Sequence, residues 1–184
     1  MKRKKVALVL AAIFVVVAVF AYMANLPKEK TEVDVETHVY VFLLEEGFTP
    51  VQASGILANI KLESNFDSTA TSIDGLGFGM LQWTGIRREN LEQFAEEIGT
   101  PVDEVDTQLM FLAEEINPES EYCAILGEYS FQGYQWTDFL EATNPRDAAK
   151  AFSMVYARPS PSMSRLELLG ESAVQFLGLY NLVN

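Results

Sequence analysis

The stretch LESNFDSTATSIDGLGFGMLQW, residues 62–83, combines residue types that acid–base chemistry on a bound polymer would need. Glu63 ends an apolar helical pattern in which Ile56 and Ile60 precede it. Residues at these spacings share one helix face, so Glu63 continues the apolar stripe where the helix leaves the core. Partial burial and the negative end of the helix dipole both favour the protonated carboxyl, which is the form that a general acid needs.

The segment after this glutamate is rich in glycine. Gly75, Gly77 and Gly79 alternate with apolar residues and lead to a Gln-Trp pair at 82–83. This alternation predicts a small β-hairpin. A solvated helix end followed by a plain hairpin is the simplest interpretation, and an active site is the competing one. A phosphate-cradling loop is disfavoured, because GLGFG lacks the lysine and the helix start that a P-loop needs.

The charge of the chain is strongly acidic and unevenly distributed. Four of its 13 basic residues lie at positions 2–5, so the remainder carries nine basic and 26 acidic residues, a net charge of −17. Nucleic-acid binding needs a basic surface, which argues against DNA or RNA as a partner. Electrostatic adhesion to anionic lipids or polymers is disfavoured for the same reason.

The amino-terminal part of the chain predicts export and a membrane anchor. A basic segment at 1–5 precedes an apolar run at 6–24, just long enough to cross the ~30 Å hydrocarbon core as a helix. The basic segment stays in the cytoplasm, so a tether at 25–36 and a domain at 37–184 lie on the wall side of the cell membrane. A signal peptide cleaved near Ala21 is the alternative. We favour the single-pass anchor, because the apolar run is long and has few small residues at its end.

Cysteine and histidine are too scarce for several classes of site. The single cysteine, Cys123, cannot form an internal disulfide and is expected to be a small buried residue. The single histidine, His38, lies near the start of the first exported helix with no motif around it. Ser-His-Asp and Cys-His hydrolases are therefore disfavoured. The sequence predicts no metal and no cofactor.

Helix start and stop signals predict a mainly α domain with one small β excursion. Thr-Pro or Asn-Pro pairs at 49–50, 100–101 and 144–145 are typical helix starts, and the first lies within a capping box. Gly47 and Gly99 are typical residues just after a helix end. The predicted helices cover 35–46, 51–64, 87–98, 106–116, 137–143 and 146–157, and a last helix falls within 164–182.

Four motifs in a fixed order are more specific than any one of them. A helix ending in ESNF, a glycine-rich segment ending in GMLQW, the helix RRENLEQFA and the helix QLMFLAEEI follow one another between residues 53 and 116. Together they resemble the phage tail-type lysozyme domain of the lysozyme-like superfamily, which occurs in Gram-positive phage tails and in wall hydrolases of conjugative elements. A weaker similarity in AFSMVYARPS, with Arg165 and Ala173, extends the match. The resemblance implies an α+β lysozyme-like fold with the hairpin beside the cleft.

The resemblance also implies an activity. These domains cleave the β-1,4 bond between N-acetylmuramic acid and N-acetylglucosamine in peptidoglycan glycan strands. By position, Glu63 matches the catalytic acid and Gln82 matches the glutamine that lines the sugar cleft. After protonation of the glycosidic oxygen, water completes the reaction in a muramidase, whereas the substrate's own 6-hydroxyl completes it in a lytic transglycosylase. Both routes stay open.

A second carboxylate would manage the nucleophilic water in a muramidase, and two aspartates are candidates. Asp74, at the turn of the predicted hairpin, is the first candidate, and Asp67 is the second. The simpler interpretation of Asp74 is a turn residue, because Asp-Gly is common in hairpins. Many relatives in the superfamily work with a single glutamate.

Further substrate contacts are expected around the hairpin. Gly77 and Gly79 would let a polysaccharide lie flat against the backbone. Trp83 and Tyr156 would each stack on a sugar, although a tryptophan in a helical domain is more often part of the core. The arginines at 87–88 are expected to support the fold by pairing with acids.

The sequence therefore predicts a membrane-tethered peptidoglycan glycosidase. It would open the cell wall for a secretion, conjugation or phage-related apparatus, whose channel proteins would be its partners. The alternative is a non-catalytic assembly protein that binds glycan or a channel. We favour catalysis, because a pure binder has little reason to hold Glu63 within ESNF.

Overall fold

A computed structural model describes residues 34–124, 130–131, 133–158 and 163–181 of the chain. The predicted membrane anchor at 6–24 lies outside these ranges, as does most of the predicted tether. None of the helices within them is both long and apolar enough to cross a membrane.

Helices dominate the described residues, and the prediction of a mainly α domain is confirmed. A π-helical turn, Ser153–Ala157, continues the helix before it. The elements are α1 (Val35–Glu45), α2 (Pro50–Ser64), α3 (Gly85–Ile98), α4 (Val105–Ile116), β1 (Ser130–Phe131), β2 (Tyr134–Gln135), α5 (Trp136–Leu140), α6 (Pro145–Phe152) and α7 (Met163–Asn181).

The capping box at the start of α2 forms as predicted. The Thr49 hydroxyl accepts a hydrogen bond from the Gln52 amide at 3.3 Å, and the Gln52 side chain accepts one from the Thr49 amide at 2.8 Å. The predicted start at Thr100 is wrong, because α4 begins at Val105 with Glu104 as its N-cap. The Thr100 hydroxyl lies 2.8 Å from the Thr107 hydroxyl, so it does not cap a helix.

The glycine-rich segment does not form the predicted hairpin. It makes two isolated bridges, Thr71 with Phe78 and Phe78 with Trp83, and no strand. The backbone turns with positive φ at Gly79 (74°) and Gln82 (52°), which stops either bridge from extending into a ladder. Within the described residues the antiparallel ladder is that of β1 with β2.

The central helix of the core is α2, which is buried on every side over most of its length. The residues from Gln52 to Ile60 are all buried, and α2 packs against both α6 and α7. At Gly55 the backbones of α2 and α6 meet, since an added Cβ would lie 2.8 Å from the Ala149 nitrogen. Asn59 donates to the carbonyl oxygens of Gly55 at 2.9 Å and Ala149 at 3.0 Å, which fixes the register of the two helices.

A buried carboxylate joins the glycine-rich segment to three other elements. Glu115 in α4 is 1% exposed. It accepts hydrogen bonds from Trp83 Nε1 at 2.7 Å, from Arg87 Nε at 2.6 Å and Nη2 at 2.8 Å, and from the Tyr156 hydroxyl. Four donor atoms thus replace the water that the carboxylate loses on burial.

Tyr156 and Arg87 also contact each other. Arg87 Nη1 donates to the Tyr156 carbonyl at 3.0 Å, and its guanidinium lies 4.3 Å from the Tyr156 ring centre. Burial, and then the charge of Glu115, raise the pKa of Tyr156 well above its usual value, so its hydroxyl remains a donor. The pairs of Arg87 with Glu115 and of Arg88 with Glu92 confirm that these arginines support the fold.

The close approach at Gly55 predicts that Gly55→Ala is destabilising. The new methyl group would collide with the backbone of α6, so we expect a loss of about 1–3 kcal/mol in the free energy of unfolding. Gly178→Ala in α7 is the matched control, because its added Cβ meets nothing within 4 Å. There we expect a gain of up to about 1 kcal/mol from helix propensity. Urea unfolding of both variants checks this, and equal stabilities would contradict it.

Removing the charge of Glu115 should cost far more than removing a surface charge. Glu115→Gln leaves a largely buried guanidinium without its carboxylate, which typically costs about 3 kcal/mol or more. Glu92→Gln breaks an exposed pair with Arg88 on α3 and should cost less than about 1 kcal/mol. Urea unfolding of the two variants under one condition measures the difference. Similar losses in both would show that burial does not govern the Glu115 network.

Candidate active site

A strained turn follows Glu63 at the end of α2. Asn65 (φ 56°) and Phe66 (φ 64°) both have left-handed backbone, which is rare for a bulky side chain such as Phe66. The Asn65 amide donates the last helical hydrogen bond, to the Lys61 carbonyl at 3.0 Å, and the left-handed backbone of Asn65 then ends the helix. Phe66 is held in an edge-to-face contact with Phe176 of α7, with ring centres 6.0 Å apart. Packing against α7 therefore maintains a costly conformation just beyond the last turn of α2, which carries Glu63.

An open cleft of about 680 Å³ lies between the end of α2 and the glycine-rich segment. Its lining contains four of the residues that the sequence indicated as catalytic or substrate-binding, namely Glu63, Asp74, Gly77 and Gln82. The full lining is Leu62, Glu63, Ser72, Ile73, Asp74, Leu76, Gly77, Gln82, Thr84 and Arg165.

Glu63 is partly withdrawn from water and carries a cationic partner. Its side chain is 16% exposed, and its Oε1 accepts a hydrogen bond from Arg165 Nη2 near the start of α7. The Arg165 side chain is itself 30% exposed. An ion pair between α2 and α7 thus forms part of the cleft lining.

Gln82 braces the glycine-rich segment as well as lining the cleft. Its Nε2 donates to the Gly79 carbonyl at 2.8 Å and to the Ala70 carbonyl at 3.3 Å. An added Cβ at Gly77 would lie 2.8 Å from Gln82 Oε1, so Gly77 allows the Gln82 side chain to pack against the backbone of the segment. This packing demand accounts for the glycine independently of any ligand.

Gln108 of α4 forms hydrogen bonds with the glycine-rich segment, and the sequence did not predict this role. It is fully buried, accepts from the Met80 amide at 2.8 Å and donates to the Ser68 carbonyl at 2.8 Å. An added Cβ at Gly79 would lie 2.6 Å from Gln108 Oε1, so Gly79 faces α4 and is not part of the cleft lining. The signal available in the sequence was the spacing of seven residues between Gln108 and Glu115, which puts these two polar residues on the same buried face of α4.

The two candidate aspartates have similar local hydrogen bonds, but they differ in their position relative to the cleft. Asp74 Oδ1 accepts from Ser72 Oγ at 2.5 Å and from the Leu76 amide at 3.1 Å, and these hydrogen bonds lower the pKa of Asp74. Asp67 Oδ1 accepts from the Thr69 hydroxyl and amide, which lower its pKa in the same way. Asp74 lines the cleft and Asp67 does not.

Trp83 and Tyr156 do not fit their expected place against a sugar. Each is 1% exposed, and the polar atom of each is bound to Glu115 inside the core. Neither ring is part of the cleft lining. Neither ring is therefore accessible to a sugar in the cleft.

The remaining polar candidates lie elsewhere. His38 Nε2 lies 2.5 Å from Asp106 Oδ1, in a pair that links α1 to α4. Cys123 is half-buried. In the part of the chain that the structure describes, no three His, Cys, Asp or Glu residues are grouped as metal ligands.

The cleft residues all fall within one family match. A family model described as phage tail lysozyme matches residues 34–180, which include both walls of the cleft. No curated protein sequence matches the chain closely enough to name a relative. Because the match spans most of its length, the chain belongs to the phage tail lysozyme family, whose members are lysozyme-like peptidoglycan hydrolases.

Proposed function

We propose that this protein is a muramidase that cleaves the β-1,4 bond between N-acetylmuramic acid and N-acetylglucosamine, with Glu63 as the general acid. Membership of the phage tail lysozyme family supports peptidoglycan hydrolysis as the general activity. The observation that carries the assignment to Glu63 is its position, mostly withdrawn from water at the edge of an open cleft. A carboxyl so placed can reach the glycosidic oxygen of a polymer lying in the cleft.

The proposed reaction breaks the bond between C1 of the muramic acid and the bridging oxygen. Glu63 gives its proton to that oxygen as the bond breaks, and the departing sugar leaves as a neutral alcohol. Water then adds to the positively charged C1 and loses a proton. Glu63 must first separate from Arg165 and take up a proton, because a carboxylate bound to guanidinium has none to give.

Asp74 is proposed to hold the attacking water. Its carboxylate lines the cleft with Glu63, and its lowered pKa keeps it ionised as a base requires. The competing route is the lytic transglycosylase reaction, in which the sugar's own 6-hydroxyl attacks C1. It is favoured by the engagement of Asp74 Oδ1 in the turn with Ser72 and Leu76, which leaves this oxygen less available to water.

The cellular setting is also part of the proposal. An anchor at 6–24 with a tether ending near residue 36 would hold the domain on the outer face of the membrane. Local wall opening beside a secretion or conjugation channel would suit such a short tether. The hydropathy and charge of the amino-terminal segment support this part of the proposal.

Glu63→Gln is expected to abolish cleavage of purified cell wall. The amide keeps the shape of the side chain but cannot donate the proton, which should reduce the rate by at least about a hundredfold. Release of new reducing ends, or of anhydro ends, from isolated wall is the measurement. Glu45→Gln is the matched control, because Glu45 is an exposed glutamate at the end of α1 and should behave as wild type. Undiminished release by Glu63→Gln would overturn the assignment of Glu63 as the acid, whereas no release by the wild-type protein would favour a non-catalytic glycan-binding protein.

The products of the wild-type protein distinguish the two reactions. Mass spectrometry of the released fragments should detect hydrated reducing ends if water attacks C1. Fragments with 1,6-anhydro ends would assign the transglycosylase route instead, with Glu63 still the acid.

Asp74→Asn tests the second carboxylate against its structural role. Asparagine retains an acceptor oxygen for the Ser72 hydroxyl and the Leu76 amide, so the turn should persist. Loss of the basic oxygen should lower hydrolysis by at least about tenfold. Asp67→Asn removes the same charge from a similarly bonded aspartate outside the cleft and should leave the rate unchanged. If both variants hydrolyse wall at the wild-type rate, the role of Asp74 is only to stabilise the turn.

A further inference from the structure

The cleft contains one cation in a strongly acidic chain. Among the residues that line it in the described part of the chain, Arg165 is the single basic side chain. Beyond the four cations at positions 2–5, the chain carries a net charge of −17. An arginine in the cleft is therefore an exception to the general charge of this protein.

Arg165 forms an ion pair with Glu63, the carboxyl group that the proposed reaction needs in its protonated form. Its Nη2 donates to Glu63 Oε1, in a pair that is mostly but not fully withdrawn from water. A planar guanidinium has five donors and matches a carboxylate with two parallel hydrogen bonds. A second carboxylate that enters the cleft can consequently compete with Glu63 for the same donors.

The substrate of the proposed reaction carries such groups. Muramic acid bears a lactyl ether whose carboxyl is free in peptide-free strands and amide-linked to the stem peptide in intact wall. The stem peptide carries carboxylates of its own. N-acetylglucosamine has none, so a carboxylate marks the muramic acid side of the bond.

We infer that Arg165 is a substrate-binding residue that receives a carboxylate of the muramic acid unit or its peptide. By exchanging one carboxylate for another, the bound strand releases Glu63 to take up a proton. The inference rests on the proposed function and adds to it a preference for anionic strands. Arg165 thereby couples the identity of the substrate to the availability of the acid.

Three forms of one glycan test the preference and locate its source. The first consists of peptide-free strands with free lactyl carboxylates, the second of the same strands with those carboxyls converted to primary amides, and the third of strands with intact stem peptides. The wild-type protein should have a kcat/KM at least about tenfold higher for the first form than for the second. A high value for the third form together with a low value for the first would assign the preference to the peptide carboxylates.

Arg165→Gln should reduce this ratio to near one, and Arg165→Lys should retain part of it. Lysine keeps the charge but lacks the planar fork that binds a carboxylate through two hydrogen bonds. Arg146→Gln is the matched control, because it removes the same charge outside the cleft lining and should leave the ratio as in wild type. If Arg165→Gln fails to fold, the fall in ratio for Arg165→Lys carries the test.

Binding separates this inference from the proposed reaction. Glu63→Gln frees the guanidinium of its carboxylate partner, so this variant should bind free-carboxylate strands at least about tenfold more tightly than amidated strands. Glu63→Gln combined with Arg165→Gln should bind both equally. Equal binding of all three forms, the peptide-bearing strands included, by Glu63→Gln overturns the inference. Absence of any turnover in wild type, with the binding preference intact, overturns the enzymatic assignment and leaves the carboxylate site standing.

Discussion

The burial of one carboxylate, Glu115, sets the geometry on which the cleft depends. A charge removed from water is tolerable only where several donors meet it, and here those donors come from Trp83, Arg87 and Tyr156. Each lies on a different part of the chain, so satisfying one carboxylate fixes the end of the glycine-rich segment, the start of α3 and the π-helical turn together. Gln108, two turns earlier on α4, fixes the same segment at Met80. One buried polar face of α4 thus supports the wall of the cleft that holds the candidate base.

The opposite wall is fixed by close packing. Gly55 brings α2 against the backbone of α6, Asn59 bonds across that contact, and Glu63 follows one turn later. The helix then ends in two left-handed residues that packing on α7 maintains. An acid that must meet a glycosidic oxygen within a fraction of an ångström needs such support, since small displacements of catalytic groups are costly. The strain after Glu63 is therefore consistent with a functional position, and the ion pair to Arg165 lies where the two walls and α7 meet.

Local signals were sufficient for much of the helical structure and for the place of Glu63. The capping box at Thr49 needs only neighbouring residues, and the spacing from Ile56 to Glu63 alone places the carboxyl on the edge of the buried face. Long-range partners were beyond such reasoning. Trp83 was expected to stack on a sugar because its hydrogen-bond partner, Glu115, is 32 residues away and local spacing does not reveal it. The glycines suggested a hairpin, but Gly77 and Gly79 are demanded by the side chains of Gln82 and Gln108, which no periodicity can reveal.

Charge imposes a final constraint on how this protein can meet its substrate. A domain with a large negative charge repels an anionic strand, but screening limits that repulsion to about 8 Å at physiological ionic strength. Within the cleft, attraction between Arg165 and a carboxylate is screened less, because Arg165 is partly shielded from salt and water. Long-range attraction therefore cannot recruit the strand, and affinity has to come from contacts made after it has entered. The contact proposed between Arg165 and a carboxylate of the strand is of this kind, because it forms only once the strand lies in the cleft.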